Sequence, residues 1–348
     1  MKRNRESFRG CLMGGAIGDA LGWPVEFMKY RDIIRRYGPD GIQDLQLQSY
    51  GRAEITDDTQ MTLFTAEGIL RAETRGNQKG ICHPPSVVFF AYQSWLSTQG
   101  YARSSDCEWI YDGWLLGVKE LHATRALGST CLSALASKKQ GTIKEPINNS
   151  KGCGGVMRVA PAGLFYPEEN AFNMAAEFAA LTHGHPSGYL SAGALAHIIA
   201  AIIAGQDLET AVKDTIGELK AHAGHEQCAG SLDQAIALAD SGLPPVEAIT
   251  RLGEGWVGEE ALAIAVYCAL KHQDNFKKAL AASVNHNGDS DSTGAITGNI
   301  LGAYLGLSRI PLDWTENVEL AEVTLQIADD LLTGYQDSRE WRERYPGY

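Results

Sequence analysis

Two short acidic runs at opposite ends of the chain constrain its folding more than any other feature. They are Thr56-Asp57-Asp58-Thr59 and Asn287-Gly288-Asp289-Ser290-Asp291-Ser292-Thr293-Gly294. Each couples carboxylates with hydroxyls. Asp57, Asp58, Asp289 and Asp291 offer only oxygen, and Thr56 and Ser292 add hydroxyl or backbone oxygens. Hard oxygen ligands without a companion Cys or His cluster suit Mg²⁺ or Mn²⁺ better than Zn²⁺. Brought together, the carboxylates repel one another, and two divalent ions would neutralise them. Each run alone also reads as a helix start, with Thr56 or Asp289 as the cap and acidic residues in the first turn. Together, with hydroxyls so interleaved, they favour a shared cation site, and a shared site makes the chain one domain.

Two competing motifs fail on inspection. A calcium loop starting at Asp289 needs Glu at its twelfth position, where Ile300 stands. Asp289-Ser290-Asp291-Ser292-Thr293 also fits the D-x-D-x-T pattern of haloacid-dehalogenase-type phosphatases, whose first Asp ends a buried strand. Here the approach, Val284-Asn285-His286-Asn287-Gly288, is polar, and no alternating βα pattern accompanies it.

Apolar residues recur with helical spacing along nearly the whole chain, and almost nothing alternates with period two, so the reading is all-α. Helices are expected from Ser7 to Leu21, from Asp57 behind Thr56, from Ser86 to about Thr98 and from Thr130 to Ala136. Ala171–Leu181, Ser187–Ala204, Leu208–Ala221 and Gln227–Ala239 follow, then Pro245–Leu252, Glu259–His272, Phe276–Val284, Ser292–Leu305 and Leu312–Leu332. Pro186 suits a helix start and Gly205 a helix end. Trp23 to Phe27 is expected to be extended, because a residue before proline avoids the α region. Tyr30–Tyr50 reads as a short helix and a loop, Gly76–Pro85 as a loop, Tyr101–Asp112 as irregular and Lys144–Gly155 as an exposed functional loop.

The formal net charge of -12 argues against a nucleic-acid binder and mildly suits a cationic substrate group. Seven Cys with no C-x-x-C pair argue against a zinc knuckle or a disulfide framework and for a reducing compartment. The N-terminal stretch is a poor signal peptide. The most apolar run, Leu190–Ala204, contains His197 and is shorter than the roughly 20 residues needed to cross a bilayer. A cytoplasmic protein with no membrane partner is expected.

Three further stretches carry candidate contacts. In Asn148-Asn149-Ser150-Lys151-Gly152-Cys153-Gly154-Gly155-Val156-Met157-Arg158, glycines let backbone N–H groups approach an anion, and Lys151 adds charge. A simple turn explains such a run equally, and Arg158 suits a phosphate or a buried ion pair. Thr182-His183-Gly184-His185 lacks a third metal ligand nearby; His183 fits a polar ligand contact or a cap. Trp256, flanked by glycines, either stacks on a base or ribose or packs in the core. Glu26 follows a proline kink close to Asp19 and is placed to project into a site.

Taken in order, these runs resemble the ADP-ribosylglycohydrolase family. The match rests on Gly18-Asp19-Ala20-Leu21-Gly22 with Pro24 and Glu26-Phe27, and on Thr56-Asp57-Asp58-Thr59-Gln60-Met61. It continues through Ser150–Arg158, Thr182–His185, Gly255-Trp256-Val257 and Gly288-Asp289-Ser290-Asp291-Ser292 with Gly294-Ala295. The resemblance implies a compact, single all-α domain with two Mg²⁺ (or Mn²⁺) ions at the base of a cleft, and removal of ADP-ribose from a modified protein side chain. It implies Thr56, Asp57, Asp58, Asp289, Asp291 and Ser292 as metal ligands. Ser150, Lys151, Gly152, Cys153, Gly154 and Gly155, with Met157, would cradle the diphosphate and distal ribose, and His183 and Trp256 would line the groove. Family members often carry Thr where Ser290 and Ser292 stand, an apolar residue at the place of Thr293, and in some relatives Asn at that of Cys153.

Glu26, Asp58, Asp289 and Asp291 are the carboxylates placed to stabilise an oxocarbenium-like state or activate water. The sequence looks closest to the arginine-directed branch of the family, and Asp106, Glu108 and Asp112 are candidates for an acidic wall facing a guanidine. Two other functions stay open. One is hydrolysis of another ADP-ribose linkage or of O-acetyl-ADP-ribose. The other is a non-catalytic immunity-type binder of an ADP-ribosylating toxin or its target.

Overall fold

Glycine recurs every fourth residue in two distant segments, at Gly10, Gly14, Gly18 and Gly22 and again at Gly294, Gly298 and Gly302. That spacing lines them along one helix face. In the computed structural model, which describes residues 3–348 apart from the side chains of Ser49 and Asp106, the two faces meet. Helices Arg5–Gly22 and Ser290–Leu305 run antiparallel with their backbones in contact. A methyl group on Gly10, Gly14 or Gly18 would overlap the carbonyl oxygen of Gly302, Gly298 or Gly294. Asn299 Nδ2 also donates to the Cys11 carbonyl oxygen at 2.9 Å. This close pairing sets the C-terminal turn of the first helix, which carries Asp19, and Glu26 just beyond it, beside the first turn of Ser290–Leu305.

Around this pair the described residues form helices and 3₁₀ turns with three isolated bridges and no sheet. The all-α reading is therefore correct, and the buried apolar residues make one continuous cluster from Phe8 to Tyr345. Pro186–Ala204 is long and apolar enough to cross a membrane by length and composition, and 94% of its apolar window is buried inside the protein. Ile198, Ile199 and Ile202 on it are fully buried, each contributing roughly 1.5–3 kcal/mol of apolar transfer.

Local signals place most helix starts. Thr56 caps Asp57–Lys79 with its hydroxyl accepting from the Asp58 amide, and Asp289 caps Ser290–Leu305 by accepting from the Ser292 amide.

Several expectations need correction. Trp23 is helical (φ -46°, ψ -48°) rather than extended, because its amide still bonds the Asp19 carbonyl and Pro24 begins a 3₁₀ turn where no N–H is needed. Gly76 lies inside a helix that continues to Lys79 and ends at left-handed Gly80. Leu312–Leu332 is two helices, Leu312–Asn317 and Ala321–Thr333. They part where Ala53 pairs with the chain, donating to the Asn317 carbonyl and accepting from the Glu319 amide. Helices Ala160–Phe165 and Arg339–Arg344 carried no sequence expectation.

Candidate active site

Asp19 joins the two halves of the site. Fully buried, it accepts from the Thr56 amide and hydroxyl and from the Thr59 amide and hydroxyl. One carboxylate on the first helix thus holds both threonines that flank Asp57 and Asp58. Burial pushes Asp19 up to about 6 against those four donors. Nothing around Asp19 in the sequence marks this role; its signal is the pair of hydroxyls bracketing Asp57-Asp58.

Five carboxylates line one cavity of about 360 Å³: Glu26, Asp57, Asp58, Asp289 and Asp291, all at most 5% exposed. One oxygen each from Glu26, Asp289 and Asp291 lie within 4.8 Å of one another, an arrangement able to hold a metal ion. Their protein partners are few. Asp57 Oδ2 accepts from the Gly128 amide at 3.2 Å, and Asp291 Oδ1 from the Ser292 amide at 2.9 Å. Glu26 Oε2 and Asp58 Oδ1 are buried with no hydrogen-bond partner in the chain. Basic side chains on surrounding segments are engaged elsewhere: Lys29 with Glu254, Lys151 with Glu259, and Arg125 with Glu54 and Glu319. Burial, with neighbouring carboxylates, pushes Glu26 up to about 9 and Asp57 up to about 8. Asp58 and Asp291 are raised well above the ordinary range for the same reasons. Orphaned oxygens among mutually repelling buried carboxylates are the donor set a hard divalent cation takes, so the residues fit such an ion.

The remaining expected residues divide into those at the cavity wall and those behind it. Ser292, Gly152, Cys153, Gly154, Met157, His183 and Trp256 line the cavity. Thr56 lies one layer back, spent on Asp19 and on capping. Ser150 supports the glycine loop, its hydroxyl accepting from the Gly152 amide and meeting Thr130 Oγ1 at 3.1 Å. Lys151 is held by Glu259, and Gly155 packs beneath the Gly188 carbonyl. The loop is tied to the Trp256 segment by Cys153 N–H to Trp256 O and Gly258 N–H to Lys151 O. A methyl group on Gly154 would sit 2.8 Å from Cys131 Sγ and 3.1 Å from His183 Cε1, so only glycine fits between them. Trp256 is 38% exposed and stacks on Phe27 at 5.8 Å, making an aromatic rim rather than core packing.

His183 presents a defined face. Arg158 Nη2 donates to Thr182 Oγ1 at 2.6 Å, and Thr182 Oγ1 lies 2.8 Å from His183 Nδ1. Thr182 Oγ1 also lies 3.4 Å from the Ala179 carbonyl oxygen, so its proton goes either to that oxygen or to Nδ1, and the His183 tautomer follows that choice; Nε2 lies beside Gly152 and Gly154. Burial, then Arg158, pushes His183 down to about 3, so the ring is neutral and lines the cavity. Arg158 is fully buried and pairs with no carboxylate. It lies over the Tyr92 ring at 4.3 Å and also donates to Cys131 Sγ, so neither the phosphate nor the ion-pair expectation holds. His185 caps Pro186–Ala204 by accepting from the Ser187 amide. Asp112 is taken by buried Arg71, Glu108 is exposed outside the cavity wall, and the side chain of Asp106 lies outside those described. Sequence reading missed the cavity wall at Ala126–Cys131, whose signal is only a Gly128 amide aimed at Asp57.

Thr293 Oγ1 lies 2.7 Å from the Asp289 and Ser283 carbonyl oxygens and 3.0 Å from His286 Nε2. It braces the turn that carries both aspartates.

Comparison with known proteins agrees with this geometry. A family model described as ADP-ribosylglycohydrolase matches residues 1–340. Human ADP-ribosylhydrolase ARH3 is 26% identical over 376 aligned residues, covering 97% of this chain and 95% of that protein. ADP-ribosylarginine hydrolase Tri1 of Serratia proteamaculans is 24% identical, covering 93% of this chain and 78% of its own length. Among solved structures, an ADP-ribosylglycohydrolase-related protein complex superposes with a TM-score of 0.61 at 22% identity, over 95% of this chain and 98% of that one.

Proposed function

The chain belongs to the ADP-ribosylglycohydrolase family, and from that premise we propose that it is a divalent-cation-dependent hydrolase of ADP-ribosyl-arginine on a target protein. ADP-ribosyl hydrolase activity is the family's; the linkage and the ion are the proposal. The observation that carries it is the acidic floor: five buried carboxylates under a wall of backbone amides, with Glu26 Oε2 and Asp58 Oδ1 unpartnered. Asp57, Asp58, Asp289, Asp291 and Ser292 would hold two Mg²⁺ ions, with Mn²⁺ as a substitute and Thr56 positioning the first pair. Bound there, such ions orient ribose hydroxyls and make a water more acidic.

The chain's own groups do the rest. With the Gly152 and Cys153 amides bonded within the chain, the Gly154 backbone and the His183 ring are the groups of this wall placed to meet a polar ligand such as a diphosphate or ribose. Trp256 and Phe27 offer a flat apolar face for a base or sugar. Glu26, whose Oε2 is unpartnered, takes the acid–base role. Ionised once cations offset the surrounding charge, it would take a proton from the attacking water as the anomeric C–N bond breaks and C–O forms, and pass that proton to the departing guanidine, which leaves as guanidinium. An acidic cavity attracts a guanidinium, and a relative named as an ADP-ribosylarginine hydrolase supports the arginine linkage. The seven free cysteines support a reducing, cytoplasmic setting.

The test is release of ADP-ribose from arginine-, serine- and glutamate-linked proteins, with Mg²⁺ and with chelator. Release from arginine alone, lost with chelator and in Asp289→Ala, is the expected result. Release from another linkage would move the enzyme to a different substrate. Capture of the modified protein without release in every condition would make it a binder of the immunity type.

A further inference from the structure

The acidic cluster has a sulfur side. Cys153 Sγ lies 2.7 Å from Asp289 Oδ2, donating its S–H to that carboxylate. Met157 Sδ lies 3.9 Å from Ser292 Oγ. Both sulfurs belong to residues that line the cavity with Glu26, Asp58 and Asp291. The loop fixes the thiol there, through the Cys153 amide bonded to Trp256 O and the Cys153 carbonyl accepting from Val156 and Met157. Two observations beside the cysteine itself point to a cation: the orphaned, buried Glu26 Oε2 and Asp58 Oδ1, and the three-carboxylate group within 4.8 Å.

From this geometry we propose that Cys153 is a thiol ligand of the cluster, and that the site therefore takes a thiophilic divalent cation of the Cd²⁺ or Zn²⁺ class in competition with a hard one. The inference rests on the metal-centre part of the proposed function, not on the linkage hydrolysed. Carboxylates bind hard and borderline cations alike, whereas a thiolate selects the soft ones. A thiol already bonded to Asp289 needs little movement to share an ion with that carboxylate. On binding, the S–H proton passes to solvent and a sulfur–metal bond replaces the S–H···O bond to Asp289. Met157 Sδ, a weak neutral donor, adds polarizable surface on the same side.

The experiment titrates the purified, metal-stripped protein with Cd²⁺ and follows the ultraviolet sulfur-to-metal charge-transfer band. Mn²⁺ binding is measured separately by electron paramagnetic resonance. The expected result is one band saturating with Cd²⁺ in the wild type and in Cys131→Ala, lost in Cys153→Ser. Mn²⁺ binding should be retained in Cys153→Ser, which also reports that this variant is folded. Cd²⁺ should displace bound Mn²⁺ from the wild type and do so less effectively from Cys153→Ser. Mn²⁺ binding with no Cd²⁺ band in the wild type, or a band that survives Cys153→Ser, would overturn the thiol-ligand inference and leave the metal centre standing. Absence of both signals would overturn the inference and the metal-centre reading together. If Cys153→Ser lost Mn²⁺ binding as well, while its circular dichroism matched the wild type, the thiol would serve hard cations too and the proposed selectivity would be wrong.

Discussion

Two buried charged regions lie on either side of the glycine loop, and they are held in opposite ways. On one side five carboxylates share a cavity, with two of their oxygens unpartnered. On the other, Arg158 is fully buried without a carboxylate, yet its guanidinium meets Thr182, a sulfur and an aromatic face. The guanidinium spreads its charge over neutral acceptors and the Tyr92 ring, which lowers the cost of burial. The carboxylates repel one another, and nothing basic nearby is free to answer them. The guanidinium is answered within the chain except at Nε, which has no hydrogen-bond partner, whereas the acidic cluster is arranged to take an external positive charge. Pairing Arg158 with the aspartates would have made a quiet internal salt bridge and ended the site's capacity for a cation.

That contrast is open to attack, most strongly at the acidic side. Asp58→Asn keeps the shape and the helix cap but removes a charge. Turnover of an ADP-ribosylated protein should fall on the order of 10²–10³-fold, measured against Mn²⁺ affinity, which should fall with it. Unchanged turnover would end the view of this cluster as the reactive floor.

Next comes pH. Asp57 and Glu26 sit at about 8 and about 9 in the folded, metal-stripped protein, above the ~4 of an unfolded carboxyl. Groups raised in this way stabilise the fold fully below the unfolded value, and that contribution is lost as pH climbs through the folded one. Melting temperature of the chelated protein should therefore drop between about pH 4 and about pH 9, and Mg²⁺ should restore it at the alkaline end. A flat profile would mean that the carboxylates do not repel as their burial implies.

On the other side, Arg158→Ala should cost roughly 3–4 kcal/mol in urea unfolding, through lost packing and a stranded Thr182. Arg158→Met, closer in volume, should cost about 1–2 kcal/mol. Neither should change Mn²⁺ stoichiometry, and loss of Mn²⁺ binding in the Met variant would erase the distinction between the regions. The smallest effect is expected from Thr182→Val. It removes the hydroxyl that meets Nδ1 of His183, which should weaken substrate binding by about 0.5–1 kcal/mol, seen in KM more than kcat. Thr182→Ser should recover it, and ¹⁵N spectra report which tautomer His183 holds with and without the hydroxyl.

What the sequence disclosed followed from range of interaction. Thr56, Asp289 and Pro186 mark helix starts through contacts within a turn, so they were readable one residue at a time. The break at Val318–Leu320 was not, since its cause is Ala53, far away in the chain. The residues of the acidic floor were legible as types, because hydroxyl-spaced carboxylates are unusual. The role of Asp19 was not, because a single buried Asp says nothing until its four donors arrive from another helix. Arg158 misled for a related reason: a buried cation suggests an anion, whereas here a hydroxyl, a thiol and a ring suffice. The wall at Ala126–Cys131 left no pattern, since its contribution comes through backbone amides.

The glycine-faced contact between the first helix and Ser290–Leu305 also bears on how the protein is made. Asn299 and Cys11, which bond across it, are 288 residues apart. At ribosomal speeds of about 5–20 residues per second, the first helix waits on the order of 15–60 seconds for the only surface its glycines are shaped to meet. Until then Asp19 and Glu26 have no counterpart in Asp289 and Asp291. Assembly of the acidic cluster is thus deferred to the last phase of synthesis, and a nascent chain stalled before Asp289 carries half a site with no means of closing it.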